Sequence, residues 1–226
     1  MELFNNIAIL ENDTHLSKWV KEHKRLDFDQ NALPVVLPFI KDGDVVIDAG
    51  ANIGCYAYAF LNKIGANGFL YAFEPADESF ECLTHNLKSF NNVELFNSAL
   101  SFKEGYCTVV RENNNVGMNY VIESKKSDTV KVNTIDNLHL SKLDFIKIDV
   151  EGDELNVLIG ANTTINKFKP TMYIEINSHT LRRKGLTKLD IFNWLDKHNY
   201  SYKNIYDGQG FNDEQFDIIA IHNEKL

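Results

Sequence analysis

Short apolar runs alternate along the chain with stretches in which apolar residues return every three or four positions, the signatures of strand and helix. DVVIDAG (44–50) reads as a strand entered from a Lys-Asp-Gly turn. Ile53, Tyr56, Ala57, Phe60, Leu61 and Ile64 then make a helical stripe that the glycines at 65 and 68 end. FLYAFEP (69–75) is a second strand, and Asp77 is placed to cap a helix burying Phe80, Leu83, Leu87 and Phe90. VELFNSAL reads as a third strand, LDFIKIDVEG as a fourth and TMYIEIN as a fifth, with a helix starting near Asp153 between the last two. Thr187 and Asp190 form a capping pair before LDIFNWLDKH, and YSYKNIYD and FDIIAIHN close the chain as two more strands.

Two regions depart from this alternation. The first forty residues read as a helical lead-in, with Leu16, Trp19, Val20 and His23 at helical spacing before Pro34 and Pro38. Residues 105–133 read as a β-arm insertion, GYCTVVRE and TVKVNT flanking the polar NNNVGMNYVIESKKS, whose 113–127 loop is long enough for a lid. No repeat, linker or boundary interrupts the rest. Short connections between alternating strands and helices predict a parallel sheet covered on both faces, in a single α/β domain over residues 1–226.

Composition narrows the class. With 226 residues, 44% of them hydrophobic, the chain can bury one full core. No apolar run reaches the length of a membrane span, and MELFNNIAILEND lacks the basic-then-apolar order of a signal peptide. Cys55, Cys82 and Cys107 stand without disulfide or zinc spacing, which suggests reduced thiols and a cytoplasmic protein. A net charge of -9 argues against broad contact with nucleic-acid phosphates.

In open sheets of this kind the ligand lies beyond the carboxyl ends of the strands. Gly50 and Gly54 bracket the turn after the first strand, Asp48 ends that strand, and Glu74 ends the second, where an acid commonly meets ribose hydroxyls. A dinucleotide site requires G-x-G-x-x-G, but Asn52 occupies the place of the second glycine and obstructs a pyrophosphate. An NAD oxidoreductase is therefore disfavoured, whereas S-adenosylmethionine offers a ribose and an amino-acid tail without phosphates. VVIDAGANIG, YAFEP, NSALS, FIKIDVEGDELNVLIGA and TMYIEIN together resemble the FkbM family of class I S-adenosylmethionine-dependent methyltransferases over about residues 28–180. That resemblance implies a Rossmann-like, seven-stranded, mostly parallel sheet with its last strand antiparallel, and O-methylation of hydroxyls on sugars, glycolipids or polyketide-type metabolites. It further implies that Asp48, Gly50, Asn52 and Gly54 form the loop at the methionine side of the cofactor. Glu74 would hold the ribose, and Ser98 and Ala99 would flank the adenine; Phe28-Asp29 matches an aromatic-acid pair ahead of the first strand.

The fourth and fifth strands carry polar residues where a doubly covered sheet is ordinarily apolar. By parity Lys147, Asp149 and Glu151 share one side, as do Tyr173, Glu175 and Asn177. Buried charges of this density pair with one another or hold something. Three readings stand: Asp149, Glu175 and Asn177 as oxygen ligands for magnesium or calcium; a metal-free base at Asp149 or His179; or an ion pair among Lys147, Asp149 and Glu175 that closes the sheet end. Asp149, His179 and Lys147 are thus the catalytic candidates. For the acceptor, a small molecule or glycan, Met118 and Tyr120 offer a packing surface, and Arg182, Arg183 and Lys184, in a loop after the fifth strand, offer positive charge. A nucleotide or RNA methyltransferase and a non-catalytic cofactor-binding module are the alternatives. Intact Gly50, Gly54 and Glu74 weigh against the latter. Oligomeric state is not legible.

Overall fold

The structure, a computed structural model, describes residues 1–111, 115–125, 129–206 and 210–226. The lead-in is only partly helical. Strands β1 (Glu2–Phe4) and β2 (Ile7–Ile9) form a hairpin across Asn5 and Asn6, both at positive φ, the backbone a two-residue hairpin turn demands and asparagine tolerates. Helices α1 (Leu16–His23) and α2 (Leu33–Val36) follow. Asn86 fastens the hairpin, accepting from Ala8 N and donating to the carbonyls of Ala8 and Ile53, so Ile9, Leu16 and Val20 bury against the core's flank.

The alternating region is β3 (Val45–Ala49), α3 (Cys55–Ile64), β4 (Phe69–Phe73), α4 (Asp77–Leu87) and β5 (Val93–Phe96). Asp77 does not cap α4: Ala76 holds the cap position and Asp77 lies in the first turn, where its charge still favours the helix N-terminus. VELFNSAL is two strands, because after Asn97 the chain leaves the main sheet as β6 (Ser98–Leu100). β6 joins β7 (Gly105–Val110), β8 (Tyr120–Ser124) and β9 (Val130–Asn133) in a second, four-stranded sheet ordered β6-β9-β7-β8. Residues 113–114 and 126–127 of the expected lid, and Asp207 of the expected sixth strand, lie outside the described residues.

β10 (Phe145–Ile148), α5 (Glu154–Gly160), α6 (Asn162–Phe168), β11 (Thr171–Asn177), α7 (Ser178–Arg183), α8 (Lys188–Lys197), β12 (Tyr200–Asn204) and β13 (Gln215–His222) complete the chain. The basic stretch after β11 is therefore helix α7, not a loop. Thr187 and Asp190 form the expected capping box of α8. The main sheet has seven strands in the order β12-β13-β11-β10-β3-β4-β5, with β13 antiparallel to both neighbours. No helix among the described residues is long and apolar enough to cross a membrane, and all three cysteines are buried and free.

Strand parity divides the core. Ile47, Ile146, Ile174 and Ile218 pack under α5, α6 and α8, whereas Val46, Phe145, Tyr173 and Ile219 pack under α3. Asp48, Lys147, Glu175 and Asp217 have the parity of the second set. They therefore emerge on the α3 side, at the strand ends, where the apolar layer stops and a cavity begins. The chain reverses its winding direction between β3 and β10, and this crevice is the site that the fold provides.

Candidate active site

A cavity of about 610 Å³ opens over the carboxyl ends of β3, β4, β10 and β11, roofed by the second sheet. Its first wall is the turn after β3. Gly50 has φ +82°, and a Cβ there would lie 1.8 Å from the Asp149 carbonyl oxygen, so the turn rests directly on the end of β10. The amides of Gly50 and Ala51 both donate to Phe73 O. Asn52 follows at φ +49°, and Gly54, at φ +99°, starts α3.

Glu74 ties this turn to β4. Its Oε2 accepts from Asn52 N at 2.9 Å and its Oε1 from Ala76 N at 2.8 Å. Burial pushes its carboxyl up to about 7 against the pull of those amides and of Lys147. Gly50, Asn52, Glu74, Ser98 and Ala99 all line the cavity. Asp48 and Gly54 do not. Asp48 is fully buried beneath the turn, and Gly54 backs onto Leu83 and Leu87, so both shape the loop from behind.

The opposite wall comes from β10 and β11. Lys147, 2% exposed, donates to Gly50 O at 2.9 Å and lies 3.2 Å from Asp48 Oδ1 and 3.4 Å from Asp149 Oδ2. The 3.2 Å approach to Asp48 is an ion contact without hydrogen-bond alignment. Burial alone would lower the lysine's pKa, but the two carboxylates outweigh it and hold the ammonium above its ordinary range. Lys147 is consequently a charged post under the turn.

Past Ile148 the chain turns sharply, with Glu151 at φ +56° and Gly152 at φ +110°. One carboxylate oxygen from each of Asp149, Glu151 and Glu175 falls within 4.8 Å of the others. Glu151 is pushed up to about 9, chiefly by burial and then by Asp149, and Glu175 is driven well above the usual carboxylate range by the same causes. Asn177 lines the same cavity, but its Oδ1 accepts from His179 N and Thr180 N and caps α7, whereas Glu151, not among the ligands expected from sequence, lies with Asp149 and Glu175. His179 is exposed on α7, 3.2 Å from an Arg183 nitrogen and outside the cavity lining.

The sequence model of the methyltransferase FkbM domain matches residues 48–202, which carry both walls of this cavity. The chain belongs to the FkbM methyltransferase family. Hexuronic acid methyltransferase AglP of Haloferax volcanii is 28% identical over 167 residues, 71% of this chain and 67% of AglP. The methyltransferase FkbM crystal structure from Methylobacillus flagellatus KT superposes with a TM-score of 0.53 at 16% identity, over 81% of this chain but only 44% of that longer one. Fibrillarin from Aeropyrum pernix, crystallised with natively bound S-adenosyl-L-methionine, gives 0.54 at 15% identity over 85% of this chain and 75% of its own. At these identities the superpositions show a shared fold, the Rossmann-like fold of class I methyltransferases.

Within this FkbM domain the second sheet forms the mouth. Met118 and Tyr120 line it, and the Arg183 guanidinium stacks 4.5 Å from the centre of the Tyr120 ring. Arg182 pairs with Glu214, and Lys184 donates to Val121 O at 2.7 Å while standing 3.3 Å from Asp153. The basic run thus braces β8 against α7. None of its three residues lines the cavity.

Sequence reasoning named Asp29 and Tyr173 singly and missed the wall they form with Tyr56, Tyr206 and Asp217. Tyr56 OH donates to Asp29 at 2.7 Å and lies 3.1 Å from Tyr173 OH; Tyr173 and Tyr206 both donate to Asp217 Oδ2. All five of these residues line the cavity. Burial raises Asp217 to about 6, with the two phenols pulling it back. The available signal was a lone acid inside FDIIAIHN, which register sets opposite Glu175.

Proposed function

We propose that the chain transfers the methyl group of S-adenosylmethionine to a hydroxyl of a sugar, with a hexuronic-acid-containing glycan as the leading acceptor class. The observation that carries the reading is one cavity with two different walls. A positive-φ turn fastened by a buried acid stands on one side, and a carboxylate at the tip of β10 stands on the other. Glu74 keeps lone pairs available beside its two backbone amides, which suits it to accept from ribose hydroxyls. Asn52 excludes a pyrophosphate but not a sulfonium-bearing amino acid. Ser98 and Ala99, at the start of the second sheet, fit the flat face of a base.

The acceptor half follows from exposure. Asp149 keeps 35% of its side-chain surface open, whereas Glu151 is buried at its flank. It is therefore the carboxylate able to meet an acceptor hydroxyl, orient it toward the methyl group and take its proton as the carbon–oxygen bond forms. Lys147 fixes the other side of Asp149 and, through Gly50 O, ties that carboxylate to the cofactor turn. The sugar assignment draws on the likeness to AglP and on the polar, aromatic mouth around Tyr120.

Calorimetry with S-adenosylhomocysteine and NAD tests the cofactor. Binding of the first alone is expected, and Glu74→Ala should weaken it by about 1–3 kcal/mol. NAD binding without S-adenosylhomocysteine binding would overturn the assignment. A panel of uronic acids and neutral saccharides, read by mass spectrometry for added methyl groups, tests the acceptor; methylation of RNA or protein in place of every saccharide would refute it.

A further inference from the structure

We infer that the carboxylates of Asp149, Glu151 and Glu175 hold a divalent cation at the floor of the cavity. The inference deepens the methyl-transfer reading and takes its use from it, but the binding itself is independent of that chemistry. Three carboxylate oxygens lie within 4.8 Å of one another, two from the turn after β10 and one from β11. Glu151 is 9% exposed, and its Oε2 is buried with no hydrogen-bond partner among the described residues; Glu175 Oε2 is in the same condition. The other Glu175 oxygen is satisfied by Gln215 Nε2 at 2.8 Å. Two buried oxygens without a hydrogen-bond partner, on two members of one carboxylate cluster, are costly unless something positive sits beside them.

Among the described residues, the neighbouring cations are engaged elsewhere as well. Lys147 is divided among Gly50 O, Asp48 and the edge of Asp149. Arg183 acts on Glu151 as a nearby charge, and its guanidinium stacks on Tyr120. The donor set is all oxygen, without thiolate or imidazole, which suits magnesium, manganese or calcium over zinc or copper. The backbone also commits Glu151 to this place. Its φ of +56° precedes Gly152, where a Cβ would meet Thr180 O at 2.5 Å, so the turn is clamped against α7. A cation here would face the acceptor beside the open edge of Asp149 and would lower the pKa of a hydroxyl bound to it.

The alternative state keeps the cluster together with shared protons and no ion. The two states separate in a titration of the full chain, without acceptor, with Mn²⁺ followed by the electron paramagnetic resonance of the free ion. Thermal melting in Mg²⁺ runs in parallel. One saturable Mn²⁺ per chain and a Mg²⁺-dependent rise in Tm are expected. Glu151→Gln and Glu175→Gln should each weaken Mn²⁺ binding about tenfold or more while leaving S-adenosylhomocysteine affinity within about twofold. Absence of saturable Mn²⁺ binding by the unaltered chain at millimolar concentration overturns the proposal, whether or not the variants fold. So does binding that both substitutions leave unchanged. Mn²⁺ binding without S-adenosylhomocysteine binding would sink the cofactor assignment and spare the cation site.

Discussion

Glu74 combines a structural role with the binding role proposed for it. Its two oxygens close the β3 turn onto β4, and its burial sets its carboxyl near 7, above the ordinary 4.5. A carboxyl raised in the folded state favours the native protein at low pH, and that contribution is lost as pH climbs through the window from 4.5 to about 7. Ribose hydroxyls donate best to the carboxylate, so cofactor binding should release a proton. S-adenosylhomocysteine affinity is accordingly expected to rise between pH 6 and 8, by up to about tenfold per unit below the carboxyl's pKa, and Glu74→Ala should flatten the profile. Calorimetry in buffers of different ionisation enthalpy reads that proton directly. Asp149 carries the other half of the proposal. Asp149→Asn keeps the shape of the β10 tip but removes the proton acceptor, so turnover should fall by about two to four orders of magnitude with S-adenosylhomocysteine affinity preserved. Full activity in a variant that only melts earlier would assign Asp149 a purely structural role.

Between elements, the critical contact is that of the β3 turn with the end of β10. Gly50 allows it twice over, by its positive φ and by the missing Cβ that would otherwise meet Asp149 O at 1.8 Å. Gly185 has a similar φ of +71°, but a Cβ there would meet nothing within 4 Å. The pair separates backbone strain from collision. Gly185→Ala should cost about 1 kcal/mol in urea unfolding, whereas Gly50→Ala should cost about 3 kcal/mol or more and also weaken S-adenosylhomocysteine binding. Equal losses would mean that the close approach relaxes readily and does not position the turn. Asn177 makes a related point: at the end of β11 it serves α7 as a cap, and that duty withdraws it from the carboxylates nearby.

At the scale of the molecule, the main sheet carries the β3 turn and the carboxylates and the second sheet covers them, so in the proposed reading the acceptor enters at their seam. Lys184 crosses that seam, joining α7 to Val121 of β8 and to Asp153. Lys184→Met should loosen the cover without touching the β3 turn. An increase of about fivefold in acceptor KM is expected, corresponding to about 1 kcal/mol, with S-adenosylhomocysteine affinity unchanged. An unaltered KM would show that β8 does not contribute to acceptor binding.

Sequence by itself determined the parallel sheet and the turn at its centre, because strand and helix periods, glycine at positive φ and an acid closing a strand are local signals. Gly50, Asn52 and Glu74 were legible for that reason, and parity alone put Lys147, Asp149 and Glu175 on one face. Tertiary structure decided what those faces meet. The Asn5-Asn6 hairpin becomes worth forming only when Asn86, far along the chain, satisfies its edge. VELFNSAL divides between sheets because β9 supplies a second partner for Ser98–Leu100. Glu151, which parity already set on the side of Asp149, reaches the carboxylate cluster through a turn at positive φ, and Asn177 gives its oxygen to the start of α7. Tyr56, Tyr173, Tyr206 and Asp217 come from three separated stretches, and only the crossing of β11, β13 and α3 brings their hydroxyls and carboxylate within hydrogen-bonding distance. Local chemistry sets each element, but burial and the pairing of distant polar groups are properties of the packed chain, and they chose the residues that share the cavity.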